Sequence, residues 1–334
     1  MKRVVLSLLC LFSFAATVAH ANPTIGQSPK PSFEASFEGF VQISANRELY
    51  VEYTKANEGK PTVILLNGLT YSTRQWASMI YELKERGLGI LAYDMYGHGR
   101  TLLRYAPVIQ KVPYEEQVED LRKLLKTIKL PAPYNLVGLS YGGGIGMAFT
   151  EAYPNDVKNL ILVAPFTQAL DGQDAWIKGQ IWATRNIFPF NRYTDDELYD
   201  HFLQQIVYAT YPQWEPIVLE NPFKLEATFR LVQGIRQYRP IDTVANIPKG
   251  RLHLMVAVQD QYIQQSVLDN FWDKVPERLK ASRIYVYGSE HKMPEAVPAF
   301  TTKWVEKIVL GEKELFKGYD FEGYPFRQEI RRKN

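Results

Sequence analysis

Cysteine is almost absent from this chain of 334 residues, which contains one thiol, at Cys10. Cys10 lies in an N-terminal segment that we expect to be removed, so the mature protein would have no disulfide, no thiolate metal site and no cysteine nucleophile. The sequence also contains no H-E-x-x-H pair and no glycine-rich phosphate-binding loop. We therefore expect a protein that needs neither a metal nor another cofactor.

Net charge is also small, because 39 Lys and Arg residues oppose 36 Asp and Glu residues and give a formal charge of +3. This balance gives no support for a nucleic-acid partner or for electrostatic binding to an anionic membrane. Hydrophobic residues make up 46% of the chain, which is enough for a large buried core. The composition thus predicts a globular protein, and it says nothing about oligomeric state.

The first 21 residues have the three parts of a secretory signal peptide: a basic start, an apolar run from Val4 to about Val18, and a small-x-small ending at Ala21. An uncleaved anchor is a competing interpretation, although the apolar run is short for a membrane span. A lipoprotein signal would need a small residue before Cys10, where Leu9 stands. We expect cleavage after Ala21, export to the periplasm or the medium, and no stable membrane anchor afterwards.

A flexible lead-in rich in Pro, Ser and Gly is predicted for residues 22–35. Two segments with a two-residue alternation follow and predict a hairpin, at Phe40–Ser44 and Glu48–Tyr53. Continuous apolar runs then predict strands that are covered on both faces. These runs are Thr62–Leu66, Leu88–Tyr93, Tyr134–Leu139, Leu160–Val163, Leu252–Val258 and Ile284–Tyr287.

Helical stretches separate the first four of these runs, at Arg74–Arg86, Tyr114–Lys129 and Gly143–Tyr153. Strands that alternate with helices predict an α/β fold with a mostly parallel sheet and right-handed crossovers.

The alternation breaks once, so the chain is predicted to have a core and an insert. The core would comprise residues 36–165 and 241–312, and the insert, residues 166–240, would be a helical cap. Its many aromatic residues would either line an apolar cleft or form the core of the insert itself. Residues 313–334 are aromatic and basic, and we expect an irregular C-terminal tail.

The segment Gly138-Leu139-Ser140-Tyr141-Gly142 matches G-x-S-x-G, a sharp turn that exposes a serine oxygen above a sheet. A predicted strand precedes the match, and a run of small residues suited to a tightly packed helix follows it. Both halves of the required strand–turn–helix setting are present, so Ser140 is the predicted nucleophile.

Serine attacks only when a base removes its proton, and His291 is the predicted base because it follows the last predicted strand of the core. Ligands of open α/β sheets bind at that edge. Asp260 ends the preceding strand and is predicted to orient the imidazole. Asp242 and Asp269 are rivals for this role, but the first precedes that strand and the second lies beyond it.

The oxyanion of a tetrahedral intermediate needs hydrogen-bond donors. The backbone N–H groups of Tyr141, directly after the nucleophile, and of Leu69, in the loop after the third strand, are the predicted donors. An alternative interpretation of Asn67-Gly68 in that loop is an ordinary tight turn.

From about Phe40 to Leu310 the chain resembles the α/β-hydrolase superfamily, within its capped lipase, esterase and peptidase group. The shared features are Asn67-Gly68, the segment from Asp94 to Thr101, the Ser140 turn, Asp260 and His291. The resemblance implies a central, mostly parallel sheet flanked by helices, with a helical cap after the sixth strand. It also implies that His98 is a structural loop residue. Relatives usually have histidine at position 67 and a glycine near position 257.

The sequence therefore predicts a serine hydrolase that cleaves the carboxylic ester of a small-molecule or lipid-like substrate through an acyl-enzyme intermediate. An amidase or aminopeptidase is the main alternative, since the same three residues cleave amides. The acidic residues of the insert would then bind the amine of the substrate, and Glu215 with Asp195, Asp196 and Glu197 are candidates, although solvation of the surface explains these acids equally well. A non-catalytic binding protein with this fold is a more remote alternative, because such proteins typically lose a catalytic residue and none is missing here.

Overall fold

A computed structural model describes residues 31–105, 110–214 and 223–333. The predicted signal peptide, residues 1–21, lies outside these ranges, so cleavage and export stay predictions. Residues 22–30 of the predicted lead-in and Glu215 of the insert lie outside them as well.

A ten-stranded sheet runs through the described residues, with the strand order β1-β2-β4-β3-β5-β6-β7-β8-β9-β10. The strands are β1 (Phe37–Ser44), β2 (Arg47–Thr54), β3 (Thr62–Leu66), β4 (Gly89–Asp94), β5 (Tyr134–Leu139), β6 (Val157–Val163), β7 (Leu252–Ala257), β8 (Lys280–Val286), β9 (Tyr319–Tyr324) and β10 (Glu329–Arg332). Neighbours from β4 to β9 are parallel, whereas β1, β2 and β10 are antiparallel to their neighbours. The predicted hairpin and the mostly parallel sheet are both confirmed.

Helices cover both faces of this sheet and also form the insert. They are α1 (Ala77–Glu85), α2 (Gly99–Tyr105), α3 (Tyr114–Thr127), α4 (Tyr141–Ala152), α5 (Asp171–Ile187), α6 (Asp195–Trp214), α7 (Lys224–Ile235), α8 (Pro240–Thr243), α9 (Gln265–Lys274), α10 (Met293–Ala296) and α11 (Pro298–Val309). None of the helices in the described ranges is long and apolar enough to cross a bilayer.

Two hydrophobic layers hold the helices on the sheet, and β3 shows how one strand serves both. Ile64 and Leu66 belong to the layer that contains residues of α3, α4 and α9, whereas Val63 and Leu65 belong to the layer under α1 and α11. All four side chains are fully buried. Successive side chains of a strand point to opposite faces, so a strand covered on both sides has to be apolar throughout.

The insert between β6 and β7 contains α5, α6 and α7, with a small core of its own that includes Ile177, Leu203, Val207 and Phe229. Most of the described aromatic residues of the insert neither line a cleft nor form its core, which were the two roles expected for them. Phe229 is buried there, but Trp182, Phe188 and Phe190 are exposed to solvent. Aliphatic side chains do most of the packing.

Two predictions about the ends of the core are wrong. Residues 313–334 do not form an irregular tail, because β9 pairs with β8 in parallel and β10 folds back on β9. Phe321 of β9 packs against Trp304 of α11, with ring centroids 5.3 Å apart. The lead-in ends before residue 35, because the backbone N–H of Phe33 donates to the carbonyl of Ile128 and the Tyr53 hydroxyl donates to the carbonyl of Phe33.

Candidate active site

Ser140 occupies the one-residue turn between β5 and α4, with φ +51° and ψ −115°. A residue with a side chain rarely adopts this backbone conformation, and it persists only where the surroundings impose it. Here the N–H of Ser140 donates to the carbonyl of Val163 at 3.0 Å, and the carbonyl of Ser140 accepts from the N–H of Phe166 at 2.8 Å. Val163 ends β6 and Phe166 lies just beyond it, so the neighbouring strand and the segment after it fix the strained turn.

The glycines on either side of Ser140 are required by close backbone contacts. A Cβ at Gly138 would lie 2.5 Å from the carbonyl oxygen of Gly142. A Cβ at Gly142 would lie 2.2 Å from the carbonyl oxygen of Leu66 at the end of β3. Any side chain at either position would push the turn away from the sheet, which is the physical reason for the G-x-S-x-G pattern.

His291 lies in the loop after β8 and is hydrogen-bonded to Asp260, which follows β7. The distance between His291 Nδ1 and Asp260 Oδ2 is 2.7 Å, and the Asp260 side chain is only 1% exposed. Asp260 Oδ1 accepts from the backbone N–H groups of Tyr262 at 2.8 Å and Ile263 at 2.9 Å. With both carboxylate oxygens occupied, the aspartate orients an imidazole that carries its proton on Nδ1 and leaves Nε2 to accept another.

The two rival carboxylates face other partners. Asp269 accepts from Arg283 at 3.0 Å and from the Tyr285 hydroxyl at 2.8 Å. Asp242 forms an ion pair with Arg239 at 2.5 Å. Of the three candidates, Asp260 alone contacts His291.

Hydrogen bonds that involve buried side chains fix the loop after β3. Asn67 donates from Nδ2 to the carbonyl of Tyr93 at 3.0 Å and accepts from Trp76 Nε1 at 2.8 Å. The N–H of the next residue, Gly68, donates to Gln75 Oε1 at 2.9 Å. Asparagine therefore supports this loop at the position where relatives usually have histidine.

These bonds bear on the predicted oxyanion donors, because the N–H of Gly68 is already used. In the described part of the chain, the N–H groups of Leu69 and Tyr141 have no hydrogen-bond partner. The N–H of Tyr141 is free because it stands in the first turn of α4. Leu69 borders the same cavity as Ser140.

A cavity of about 380 Å³ brings Ser140 and His291 together under the insert. Leu69 and Ser140 line it from the core, and the three helices of the insert form the opposite wall. The apolar residues of that wall are Ile177, Leu203, Ile206, Val207, Val232 and Ile235. A mostly apolar cleft with a few polar groups is typical of a small-molecule site.

Polar residues of the insert also line the cavity, and Asp174, Tyr199 and Arg236 are among them. The Tyr199 hydroxyl donates to Asp174 at 3.0 Å, and Lys178 pairs with Asp174 at 2.5 Å. Burial raises the pKa of Asp174, but these two hydrogen bonds outweigh it and hold that pKa below its usual value. Burial together with the Asp174 bond raises the pKa of Tyr199 to about 12. This carboxylate is thus ionised and already compensated.

The loop from Asp94 to Arg100 supports the site without entering the cavity. Asp94 accepts from the backbone N–H groups of Thr73 and Arg100, each at 2.7 Å, and its burial raises its pKa to about 6. His98 is fully buried, and its Nδ1 lies 3.2 Å from the carbonyl of Tyr96. Burial lowers the pKa of His98 to about 4, so it is neutral at pH 7. These contacts are those of a structural loop residue.

Sequence reasoning missed several residues of this site. Nothing in the sequence distinguishes Tyr199, Arg236 or Asp174 from other polar residues of helices, because only the packing of the insert turns them toward the cavity. The ring of Tyr262, 5.0 Å from the ring of His291, was also missed. The bonds from the backbone N–H groups of Tyr262 and Ile263 to Asp260 follow a local turn pattern that the sequence could have suggested, but that pattern does not give the position of the ring.

Comparisons with known proteins bear on the family and the fold of the chain. The family model for serine aminopeptidases, S33, matches residues 57–294, more than half of the chain. Monoacylglycerol lipase ABHD6 of Bos taurus is 31% identical over 107 residues, which are 32% of this chain and 31% of that protein. Proline iminopeptidase of Thermoplasma volcanium is 28% identical over 125 residues, 37% of this chain and 41% of that protein. The matches thus span well under half the length of these relatives.

A solved esterase from Exiguobacterium antarcticum has the same fold. It superposes with a TM-score of 0.59 at 17% identity, over 82% of this chain and all of that one. At this identity the likeness concerns the fold and not the substrate.

Proposed function

The chain belongs to the serine aminopeptidase S33 family and is an α/β-hydrolase, and on that premise we propose that it cleaves carboxylic esters through an acyl-enzyme. Ser140 is the nucleophile, His291 is the general base and Asp260 orients His291. The observation that carries the proposal is the 2.7 Å bond between His291 and Asp260, beside a strained Ser140 on the wall of the same cavity.

In the first step Ser140 Oγ attacks the carbonyl carbon of the ester while its proton passes to His291 Nε2. The N–H groups of Leu69 and Tyr141 stabilise the oxyanion that forms. The intermediate then collapses, and His291 returns the proton to the departing alcohol. Water attacks the acyl-enzyme by the same route and releases the acid. In both steps Asp260 holds a proton on Nδ1, so that Nε2 accepts the proton of Ser140 or of water and then returns it.

The insert supports an ester with an apolar group over an aminoacyl amide. Six aliphatic side chains of the insert helices line the cavity, so an acyl chain would bury its surface there. An aminopeptidase is the second candidate, favoured by the family model and by Asp174, a carboxylate that borders the cavity. That carboxylate already binds Tyr199 and Lys178. A substrate amine would have to replace these partners, which makes Asp174 a weak amine site.

The experiment is a comparison of kcat/KM for p-nitrophenyl esters of increasing acyl length with aminoacyl p-nitroanilides. We expect the esters to be preferred, with a maximum at an intermediate acyl length. An amide preference over all esters would contradict the ester proposal. Asp174→Asn then separates the candidates: amine binding at Asp174 predicts a loss of kcat/KM for the aminoacyl amides alone.

A further inference from the structure

Exposed apolar side chains are concentrated in one part of the insert. Of the thirteen large apolar side chains that are exposed in the described residues, seven lie between residues 170 and 193. They are Leu170, Trp176, Trp182, Ile187, Phe188, Phe190 and Tyr193, and we call this set the α5 surface. Phe190 is 94% exposed and Trp182 is 70% exposed. Soluble proteins that expose so many neighbouring apolar groups generally use them to bind something.

The outward side of α5 is not covered by other described parts of the chain. Ile177 is the only buried residue among the 17 residues of this helix. A Cβ added at Gly172 or Gly179 would meet no atom within 4 Å, so there is open space at both positions. The α5 surface is therefore available to a partner.

Its composition fits a lipid surface. Trp and Tyr have an apolar body and a polar tip, which suits the boundary between water and hydrocarbon. Phe190 stands at the turn after α5, where it protrudes rather than lies flat. A rigid protein partner would need a matching pocket for such a side chain, whereas lipid chains adapt to it.

The charges near the α5 surface indicate which lipids it suits. Arg185 pairs with Asp195 at 2.7 Å, and Lys178 pairs with Asp174 at 2.5 Å. Residues 170–197 contain five acidic residues against three basic ones, Arg192 included, so this part of the insert has a net negative charge and offers little attraction to an anionic membrane. Apolar contact then dominates binding, and such binding depends little on salt.

The α5 surface is continuous with the candidate active site. Leu170 is exposed and also lines the cavity, and Ile177 of the same helix forms part of the cavity wall. We propose that the α5 surface docks onto a zwitterionic phospholipid bilayer. Docking would bring the cavity next to the lipid phase. Uptake of ester substrates from that phase rests on the proposed function, whereas docking to the bilayer does not depend on it.

The test is co-sedimentation of the full-length protein with phosphatidylcholine vesicles at low and high salt. The variant is Phe188→Ser with Phe190→Ser. The control is Tyr81→Ser with Phe326→Ser, which removes two aromatic side chains of similar exposure, 64% and 85%, outside the insert. We expect the wild type and the control to bind at both salt concentrations. The Phe188/Phe190 variant should bind at least about tenfold more weakly, because each side chain removed takes away apolar contact with the lipid.

Absence of wild-type binding, equal binding by the two double variants, or binding that needs anionic lipid and low salt would each overturn the proposal. Sedimentation velocity of the wild type tests a second copy of the chain as the occupant: a dimer that the Phe188/Phe190 variant dissociates would also overturn it. Hydrolysis of a water-soluble short-chain ester is measured in parallel. A wild type that hydrolyses the ester but does not bind vesicles contradicts the docking surface alone, and a wild type that binds vesicles but hydrolyses no ester contradicts the proposed function alone.

Discussion

Asp260→Asn alters one functional atom of the buried carboxylate and leaves the surrounding contacts intact. The amide oxygen can still accept hydrogen bonds from the backbone N–H groups of Tyr262 and Ile263, which lie 2.8 and 2.9 Å from Asp260 Oδ1 in the wild type. The amide nitrogen replaces Oδ2, which lies 2.7 Å from His291 Nδ1. An amide N–H cannot accept the imidazole proton, so His291 has to carry that proton on Nε2. The base then has the wrong tautomer for Ser140.

We expect kcat to fall by about 10⁴-fold, which corresponds to about 5.5 kcal/mol of activation free energy. Stability should change much less, because the lost charge-assisted hydrogen bond is worth about 1.5–3 kcal/mol. Initial rates with a soluble p-nitrophenyl ester measure the first quantity, and urea unfolding measures the second. The KM should stay close to the wild-type value, since Asp260 does not line the cavity.

Asp242→Asn is the matched control, because Asp242 is the rival carboxylate that pairs with Arg239 at the surface. We expect its kcat to stay within about twofold of the wild type, as is usual for loss of a surface ion pair. The reasoning is refuted if folded Asp260→Asn keeps more than a tenth of the wild-type kcat. It is equally refuted if Asp242→Asn loses as much activity as Asp260→Asn.

Three further predictions follow from buried contacts. Asn67→Ala should lower the free energy of unfolding by about 2–5 kcal/mol, because two buried hydrogen-bond partners lose their bonds, and it should slow ester hydrolysis; an unchanged urea midpoint would contradict this. Gly142→Ala should reduce kcat at least about tenfold, because its Cβ would lie 2.2 Å from a strand carbonyl oxygen, whereas Gly179→Ala, with no atom within 4 Å, should be fully active. Burial lowers the pKa of His253 to about 3. Above pH 6.5 this histidine is neutral in both the folded and the unfolded chain, but below pH 6.5 only the unfolded chain takes up the proton. The free energy of unfolding should therefore fall by about 2 kcal/mol at pH 5. Urea unfolding at pH 7 and pH 5 should therefore show a smaller loss of unfolding free energy in His253→Asn than in the wild type. An equal loss in the two proteins would contradict this prediction.

Features that depend on neighbours in the chain could be predicted from the sequence. The Ser140 turn is an example, because the strand before it, the glycines around it and the small residues after it are all local. The parallel sheet was also predictable, since strands covered on both faces are apolar throughout. His291 and Asp260 required one further step, namely that parallel strands end at the same edge of a sheet.

Features that depend on distant contacts could not be predicted. The strand Tyr319–Tyr324 has only a weak alternating pattern, and it becomes a strand by pairing with β8 and by the ion pair of Asp320 with Arg283 at 2.6 Å. The insert posed a similar problem. Whether Trp182 or Ile177 faces the solvent depends on how α5 packs, and apolar residues occur on both sides of that helix.

Labelling with a fluorophosphonate, followed by mass spectrometry of the peptides, tests the central claim most directly. We expect a single adduct on Ser140 in the wild type, no adduct in Ser140→Ala, and much slower labelling in His291→Ala, because the serine then has no base. Equal labelling of the wild type and Ser140→Ala, or an adduct on any other residue, would contradict it.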